Sequence, residues 1–382
     1  CHLPLHKGGF GAYSIPTTEQ NRNLLPTIGC CVQYIFSGAT EKVCRRRHSC
    51  GVTAFFGTFS ARKESVMAET HDNIICVVGP TASGKTRMAV ELAKALGGEV
   101  VSCDSMQIYR GMTVGTAKPT PDEMDGVRHH MIDVADPSEP FSAGKYVEMA
   151  DACVQDILSR GKVVVIAGGT GLYVDSLIAG RSFAPVPSTG KREALEHRAD
   201  KEGIQPLLSA LAAIDPESAA RLHPSDRRRI IRALEIYQET GETITEHDRK
   251  TRLKPPKYRP VWLGMTFCSR ADLYARIDKR VELMMADGLL DEVRALLDAG
   301  VPATATAMQA IGYKELTGAL CGEESVDEAV GLIQQRSRNY AKRQLTWFRR
   351  NPEIHWLEQT LPLDFSAVFE TARRYIPFFA GE

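Results

Sequence analysis

Apolar residues first gather in a continuous run, Ile74-Ile75-Cys76-Val77-Val78, which opens directly into GPTASGKT (Gly79–Thr86). The run is too short for a helix and lacks polar alternation, which predicts a strand buried on both faces. From Arg87 to Leu96 the spacing changes. Met88, Leu92, Ala95 and Leu96 recur at helical intervals, and Gly97-Gly98 ends the pattern. Glu99-Val100-Val101-Ser102 reads as a second strand and KVVVIA (Lys162–Ala167) as a third. Strand, helix, strand alternation predicts an α/β fold: a P-loop NTPase-like parallel sheet flanked by helices.

The pattern then shifts. RSFAPVPSTG (181–190) has the composition of a linker, and Lys191 to about Glu246 is helical and highly charged, closed by Lys254-Pro255-Pro256-Lys257. Val261-Trp262-Leu263-Gly264-Met265 reads as a strand returning to the sheet, and the chain from Asp272 onward is mainly helical. We therefore expect a catalytic core over 67–185, an inserted helical subdomain over 186–258, and a return to the core with basic C-terminal helices over 259–382. An insertion of roughly seventy residues suits a small subdomain. Residues 1–66 show no sustained periodicity and contain no methionine. Met67 is expected to be the native start, with a disordered extension before it that is set aside for the fold.

Composition narrows the class. The 382 residues are 43% hydrophobic and 25% charged, ordinary for a soluble globular protein. Lys and Arg (47) balance Asp and Glu (47), so a nucleic-acid surface must be a local patch. No apolar run approaches the roughly 20 residues of a membrane span, and no membrane partner is expected. Cys76, Cys103, Cys153, Cys268 and Cys321 have no paired spacing, which suits buried thiols in a reducing cytoplasm. Cys44-x-x-x-His48-x-Cys50 lacks a fourth zinc ligand.

The candidate chemistry begins at the glycine loop, which fits G-x-x-x-x-G-K-[ST] with a strand before it and a helix after it. Loops of this kind hold ATP, GTP and other phosphorylated ligands. The phosphate-binding loop is expected to comprise Gly79, Pro80, Thr81, Ala82, Ser83, Gly84, Lys85 and Thr86, with the main-chain N–H groups around Thr81 to Lys85 pointing into an anion-sized concavity. Lys85 would neutralise a terminal phosphate and Thr86 would ligate Mg²⁺. KVVVIA, the best candidate for a second nucleotide-binding strand, ends in Gly168-Gly169-Thr170-Gly171 with no metal-holding carboxylate. EVVSC is instead followed by Asp104, at the sheet edge where ligands bind. In DSMQIYRGMTVGTAKPT (Asp104–Thr120) polar groups alternate with glycines, and two readings stay open on chemistry alone: a ligand loop, or a surface loop with Asp104 capping the next helix. Arg276 and Arg280 share a helix face. QQRSRNYAKRQLTWFRR (Gln334–Arg350) holds six basic residues and no acidic one; if helical, Arg336, Arg343 and Arg350 align beside Tyr340 and Trp347, a pattern suited to unstacked RNA. His129 and His130 are adjacent, so their side chains diverge and do not form a metal pair.

GPTASGKT, DSMQIYRGMTVGTAKP, HHMIDVADPSEPFSAGKY, IAGGTGLYV, RRRIIRALEIY, AIGYKEL and KRQLTWFRR occur in the order found in tRNA dimethylallyltransferases, also called tRNA isopentenyltransferases. The chain resembles that family from about Ile74 to Leu357. The resemblance implies that the loop holds the diphosphate of dimethylallyl diphosphate, with Mg²⁺ on Thr86, and that the prenyl group goes to N6 of the adenine 3′ of a tRNA anticodon. It implies Asp104 as general base, Lys85 and Thr86 on the leaving group, and Thr170 near both the tRNA and the prenyl-transfer site. It implies tRNA contacts at Asp104, Ser105, Met106 and Gln107, at Arg192, at Arg228, Arg229, Ile230, Ile231 and Arg232, at Gln309, Ala310, Ile311, Gly312, Tyr313 and Lys314, and at Lys342, Arg343, Gln344, Leu345, Thr346, Trp347, Phe348 and Arg349. Eukaryotic members carry a Cys/His zinc finger after the catalytic region, and this sequence shows none, so it looks bacterial in type. A monomer is expected. Competing readings are an adenylate isopentenyltransferase acting on free AMP, ADP or ATP, a P-loop small-molecule kinase, and a non-catalytic RNA-binding protein.

Overall fold

In the computed structural model, which describes residues 72–181, 183, 189–252 and 255–379, the first apolar run forms β1 (Ile74–Val78), buried at every position. The leader with Met67, the Cys44–His48–Cys50 spacing, most of the 181–190 linker and Lys254 lie outside the described residues. Strands β2 (Glu99–Ser102), β3 (His129–His130), β4 (Val164–Gly168), β5 (Val261–Phe267) and β6 (His355–Gln359) complete a six-stranded sheet in the order β3-β2-β4-β1-β5-β6. Every pairing is parallel, and β1 sits between β4 and β5, with Ile75 opposite both Val165 and Val261. Parallel strands must be joined by crossovers, so the loops leaving β1, β2 and β4 all open on one edge of the sheet.

The crossovers are helices. α1 (Lys85–Ala95) follows the glycine loop, α2 (Pro121–Met124) is a single turn before β3, α3 (Ala143–Ser159) leads to β4, and α4 (Gly171–Ile178) follows it. Next come α5 (Lys191–Glu202), α6 (Gln205–Ile214), α7 (Pro216–Arg221), α8 (Arg227–Thr240) and α9 (Ile244–Arg252), all lying in the sequence between β4 and β5. These helices pack around their own apolar cluster, which includes Leu195, Leu207, Leu211, Ile230, Ile231 and Leu234. After β5 come α10 (Arg270–Ala286), α11 (Leu289–Asp298), α12 (Tyr313–Leu320), α13 (Val326–Phe348) and, beyond β6, α14 (Phe365–Arg373). A Ser325–Glu328 capping box starts α13 and satisfies amides at its N-terminus that the helix itself leaves unpaired. The two sheet faces are covered separately, one by α3, α4 and the α11–α13 group and the other by α1 and α14. The described residues belong to one compact unit. Among them no helix is long and apolar enough to cross a membrane.

The expectation of buried thiols holds for Cys76 and Cys103 only. Cys153 is half-buried, and Cys268 and Cys321 are exposed. The two histidines diverge as adjacent residues must: His129 Nδ1 meets the Val127 carbonyl, while His130 Nε2 lies 2.8 Å from Glu99 Oε2.

Glu99, at the start of β2 and only 3% exposed, is the hub of an ion cluster. It accepts from Arg160 Nη2 and Lys162 Nζ, each at 2.8 Å, besides its contact with His130. Arg160 in the first place, then Lys162 and His130, holds the carboxyl well below the usual carboxylate range against the opposing cost of burial. A depressed folded value stabilises fully above the unfolded value and is lost as pH falls through the folded one. Glu99→Gln is expected to cost about 3 kcal/mol at pH 7, the low end for a broken buried pair because Arg160 and Lys162 are partly exposed. Urea midpoints of the two proteins should converge as pH is lowered below about 4.5; a constant gap would rule out the ionic origin.

Candidate active site

The glycine loop leaves β1 through Gly79, whose φ of 141° and close approach to β5 admit no side chain: a Cβ there would lie 2.3 Å from the Met265 carbonyl oxygen. The chain then turns through Ala82 (φ 61°) and Gly84 (φ 86°) before α1 begins at Lys85. Long-range side chains hold the loop from outside. Gln344 Oε1 accepts from Thr81 N (2.9 Å), Arg276 Nε donates to Ala82 O (3.1 Å), and Gln359 Nε2 donates to Ser83 O (2.9 Å). Among the described residues, the N–H groups of Ala82, Ser83, Gly84, Lys85 and Thr86 meet no acceptor. Unpaired amides at a helix N-terminus form an anion-binding nest.

Lys85 Nζ folds onto the Pro80 carbonyl at 2.6 Å. Burial, then the neighbouring Arg280, brings its ammonium pKa down to about 8, with Asp104 and Cys103 pulling the other way. The same cleft, about 830 Å³, is lined by Lys85, Thr86, Arg276, Lys279 and Arg280, together with Glu123 and Asp287. The Arg276–Arg280 pair therefore faces the loop. Lys118, by contrast, is buried and committed to Tyr109 O (2.9 Å) and Asp133.

Asp104 lies two residues past the end of β2, after Cys103. Its Oδ1 accepts from Met106 N (2.9 Å) and Gln107 N (3.4 Å), closing a turn where a capped helix was the alternative expectation. Among the described residues Oδ2 makes no hydrogen bond. The carboxylate thus holds a turn and keeps one oxygen uncommitted. Beside it, Ser105 N donates to Thr170 Oγ1 (3.0 Å), which fastens the loop after β2 to the loop after β4. Ser102 Oγ donates to Gln107 Oε1 (3.1 Å), and Gln107 Nε2 donates to Ala117 O (3.1 Å).

Asp104 lines a cavity of about 300 Å³ together with Thr81, Ser105, Met106, Tyr340 and Arg343, and Arg280 lines both this cavity and the loop cleft. Its apolar wall comes from Ile277, Val281 and Met284 on α10 with Leu289 and Ile311. The sequence reading missed this wall. The signal available was the i, i+4, i+7 spacing of Ile277, Val281 and Met284, one stripe of a helix. Gln309, Ala310, Ile311 and Gly312 also line the cavity, and Lys314 is exposed beyond it.

Several residues carried over with their motifs sit elsewhere. Tyr313 is fully buried, its hydroxyl donating to Glu292. Ile230 and Ile231 are 0% and 2% exposed in the core of the inserted helices, and Phe348 is buried in the main core. These four are packing residues and present no side-chain surface to an RNA. Gln344 is buried between Thr81 and Gly169, whose carbonyl accepts from its Nε2 at 2.9 Å, so it braces both loops. Trp347 packs on Gly171 and donates to Asp175 Oδ2 (2.8 Å). Leu345 is half-buried; Lys342, Arg343, Thr346 and Arg349 are exposed. The basic face expected on α13 is also partly spent: Arg336 is paired with Glu315, Arg338 with Asp278, and Arg350 lies past the helix end, over the Trp347 ring at 4.1 Å.

Arg192, Arg228, Arg229 and Arg232 converge on a separate cleft of about 1220 Å³ between the inserted helices and the start of α3, joined by Lys145, Arg181 and Arg221, with Glu148 the one acidic residue of the lining among the described residues. Arg192, Arg221 and Arg232 are each paired with a glutamate of their own helix (Glu196, Glu217 and Glu235); the local excess of positive charge left by the others suits a polyanion.

Comparison with known proteins follows the same lines. A family model described as IPP transferase matches residues 107–351. A tRNA dimethylallyltransferase of Geobacillus thermodenitrificans is 47% identical over 306 residues, 80% of this chain and 96% of that one, and one of Geobacter metallireducens is 47% identical over 303 residues, covering 79% and 97%. The full-length tRNA isopentenylpyrophosphate transferase of Bacillus halodurans superposes with a TM-score of 0.59 at 42% identity, over 78% of this chain and 93% of that one. A eukaryotic dimethylallyltransferase solved while acting on tRNA gives 0.65 at 27% identity, over 77% and 75%. Matched over most of the described length by these relatives and by the family model, the chain belongs to the tRNA dimethylallyltransferase family.

Proposed function

We propose that this prenyltransferase moves the dimethylallyl group of dimethylallyl diphosphate to N6 of the adenine 3′ of the anticodon, in tRNAs that read codons beginning with U. The observation that carries the reading is one cavity lined by Asp104, Arg280 and an apolar wall, sharing Ala117, Arg280 and Met284 with the cleft that holds the nest of unpaired amides. The diphosphate occupies the amide nest, the five-carbon chain lies against Ile277, Val281 and Met284, and the adenine enters beside Asp104. As the N6–C1 bond forms, the C1–O bond breaks, diphosphate leaves with the electron pair, and the N6 proton passes to Asp104 Oδ2. Lys85, Arg276, Arg280 and the amides counter the charge that grows on the leaving group, the largest expected catalytic contribution.

Thr86 and Glu123 line the same cleft, and the described residues contain no cluster of three metal-ligating side chains. A donor set this sparse suits Mg²⁺, which keeps waters and takes most of its ligands from a substrate's phosphates; Thr86 would hold it, and it would supply further charge neutralisation on the diphosphate. The seven basic residues of the large cleft, with exposed Lys342, Arg343 and Arg349, grip the anticodon stem-loop. The adenine must leave its stack to reach Asp104. In this reading the enzyme works as a monomer in the cytoplasm.

A free nucleotide needs no such basic cleft, which separates this reading from an adenylate isopentenyltransferase. Purified protein incubated with dimethylallyl diphosphate, Mg²⁺ and either tRNA or AMP, then digested and weighed, should yield prenylated adenosine from tRNA alone. Product from AMP alone would replace the tRNA reading, and ADP release from ATP with no prenyl product would point to a kinase.

A further inference from the structure

One wall of the apolar cavity is held by a carboxylate outside the machinery described above. Glu292, in the first turn of α11, accepts from three consecutive main-chain amides, Thr113 N at 2.7 Å, Val114 N at 2.8 Å and Gly115 N at 3.1 Å. Its Oε1 also accepts from the Tyr313 hydroxyl at 2.5 Å. Tyr313 is fully buried, and burial followed by Glu292 raises its pKa, so it stays a neutral donor. Four donors converge on one carboxylate that joins α11, α12 and the loop after β2.

The loop so held matters because of what it lines. Gly115, Thr116 and Ala117 face the apolar cavity, while Thr113, Val114 and Ala117 face the cleft of the glycine loop. The loop has no slack on its far side. A Cβ at Gly115 would lie 2.5 Å from Tyr313 Cε2 and 2.7 Å from Leu289 Cδ1. Leu289 itself lines the cavity. Backbone, phenol ring and leucine are thus close together; the carboxylate binds the backbone and the phenol, and Leu289 belongs to the same helix as Glu292. A cavity of about 300 Å³ lies at the small end for ligand sites, where a rigid wall decides what fits.

We propose that Glu292 is a positioning residue for the allylic donor: by clamping the 113–115 loop against Tyr313 and Leu289 it sets the room left for the prenyl chain and selects five carbons over ten. The proposal rests on the prenyl-transfer reading above. Relaxing the clamp lets the wall yield, which loosens the grip on a short chain and admits a longer one.

The test compares dimethylallyl and geranyl diphosphate as donors to tRNA for the unaltered protein, Glu292→Gln and Tyr313→Phe. Glu292→Gln places an NH₂ group among amide donors. It should raise KM for dimethylallyl diphosphate about tenfold, the scale of one charge-assisted hydrogen bond, with KM for tRNA unchanged. The ratio of geranyl to dimethylallyl kcat/KM should rise by about the same factor. Tyr313→Phe keeps the ring packing and removes one donor, so it should move both readouts the same way by a smaller factor, and it decides the matter if Glu292→Gln fails to fold. A folded variant with the donor ratio of the unaltered protein, or one that loses kcat equally with both donors at constant KM, overturns the proposal. An unaltered protein that transfers neither group to tRNA overturns the functional reading itself, and this inference with it.

Discussion

Asp104→Asn is expected to slow prenyl transfer by about 10²- to 10⁴-fold, the range for loss of a positioned general base, while tRNA binding stays close to that of the unaltered protein. Asparagine is the informative replacement. The hydrogen bonds from Met106 N and Gln107 N fall on Oδ1, which an asparagine retains, so the turn after β2 should survive. What is lost is the basicity of the second oxygen, the one without a partner. Asp104→Ala removes both at once and would mix loop collapse with loss of the base. Single-turnover rates at saturating tRNA and donor, paired with filter binding of labelled tRNA, separate the two effects. A rate within a few fold of the unaltered protein would show that the N6 proton leaves by another route and reduce Asp104 to a turn residue.

How much of this site could be read in advance depended on how local its signals are. β1, β4 and β5 were visible as apolar runs because both faces of a central parallel strand are buried, and β2 was visible from its Val100-Val101 pair despite the flanking Glu99 and Ser102. The edges were not. β6 buries only Leu357 and Gln359, on one face, as an edge strand covered on one side does, and it was absorbed into a stretch read as helical. β3 is two histidines long, held by its register with β2 and by the His130–Glu99 contact, and no window of sequence distinguishes it from a loop. The glycine loop was legible because its turns require residues that tolerate positive φ at fixed places, Gly79 and Gly84. Asp104 was legible from its place at a strand end. The braces were invisible: Gln344 meets Thr81 across 263 residues of sequence and Gln359 meets Ser83 across 276. Motifs carried over whole also blurred the helical period within them. In RRRIIRAL the arginines at 228, 229 and 232 line a cleft while Ile230 and Ile231 turn into the core, a division that the 3.6-residue repeat alone would have made.

Lys85 supplies the second large effect, and its sign can be fixed from the free enzyme. Burial and the Arg280 charge disfavour its ammonium, so the free-enzyme pKa lies near 8 and the cation is lost as pH rises through that value. In the proposed reading the donor diphosphate carries the opposite charge and is held by the same group. Binding must therefore raise the Lys85 pKa, because the complex favours the charged form. Since kcat/KM reports the free enzyme and kcat the bound one, kcat/KM for dimethylallyl diphosphate should fall above about pH 8 while kcat stays level to higher pH. Lys85→Met should lower kcat/KM by about 10²- to 10³-fold, as loss of a preorganised charge at a leaving group does, and should abolish the break near pH 8. Arg280→Gln tests the cause rather than the residue: it removes the repelling neighbour, so whatever activity remains should show its break shifted upward. A break that stays in place in Arg280→Gln, or persists in Lys85→Met, would assign the titration to a different group. A profile that shifts in one variant and vanishes in the other would place the two cations on the same diphosphate, one as its direct partner and one as the charge that keeps that partner easily discharged until the anion arrives.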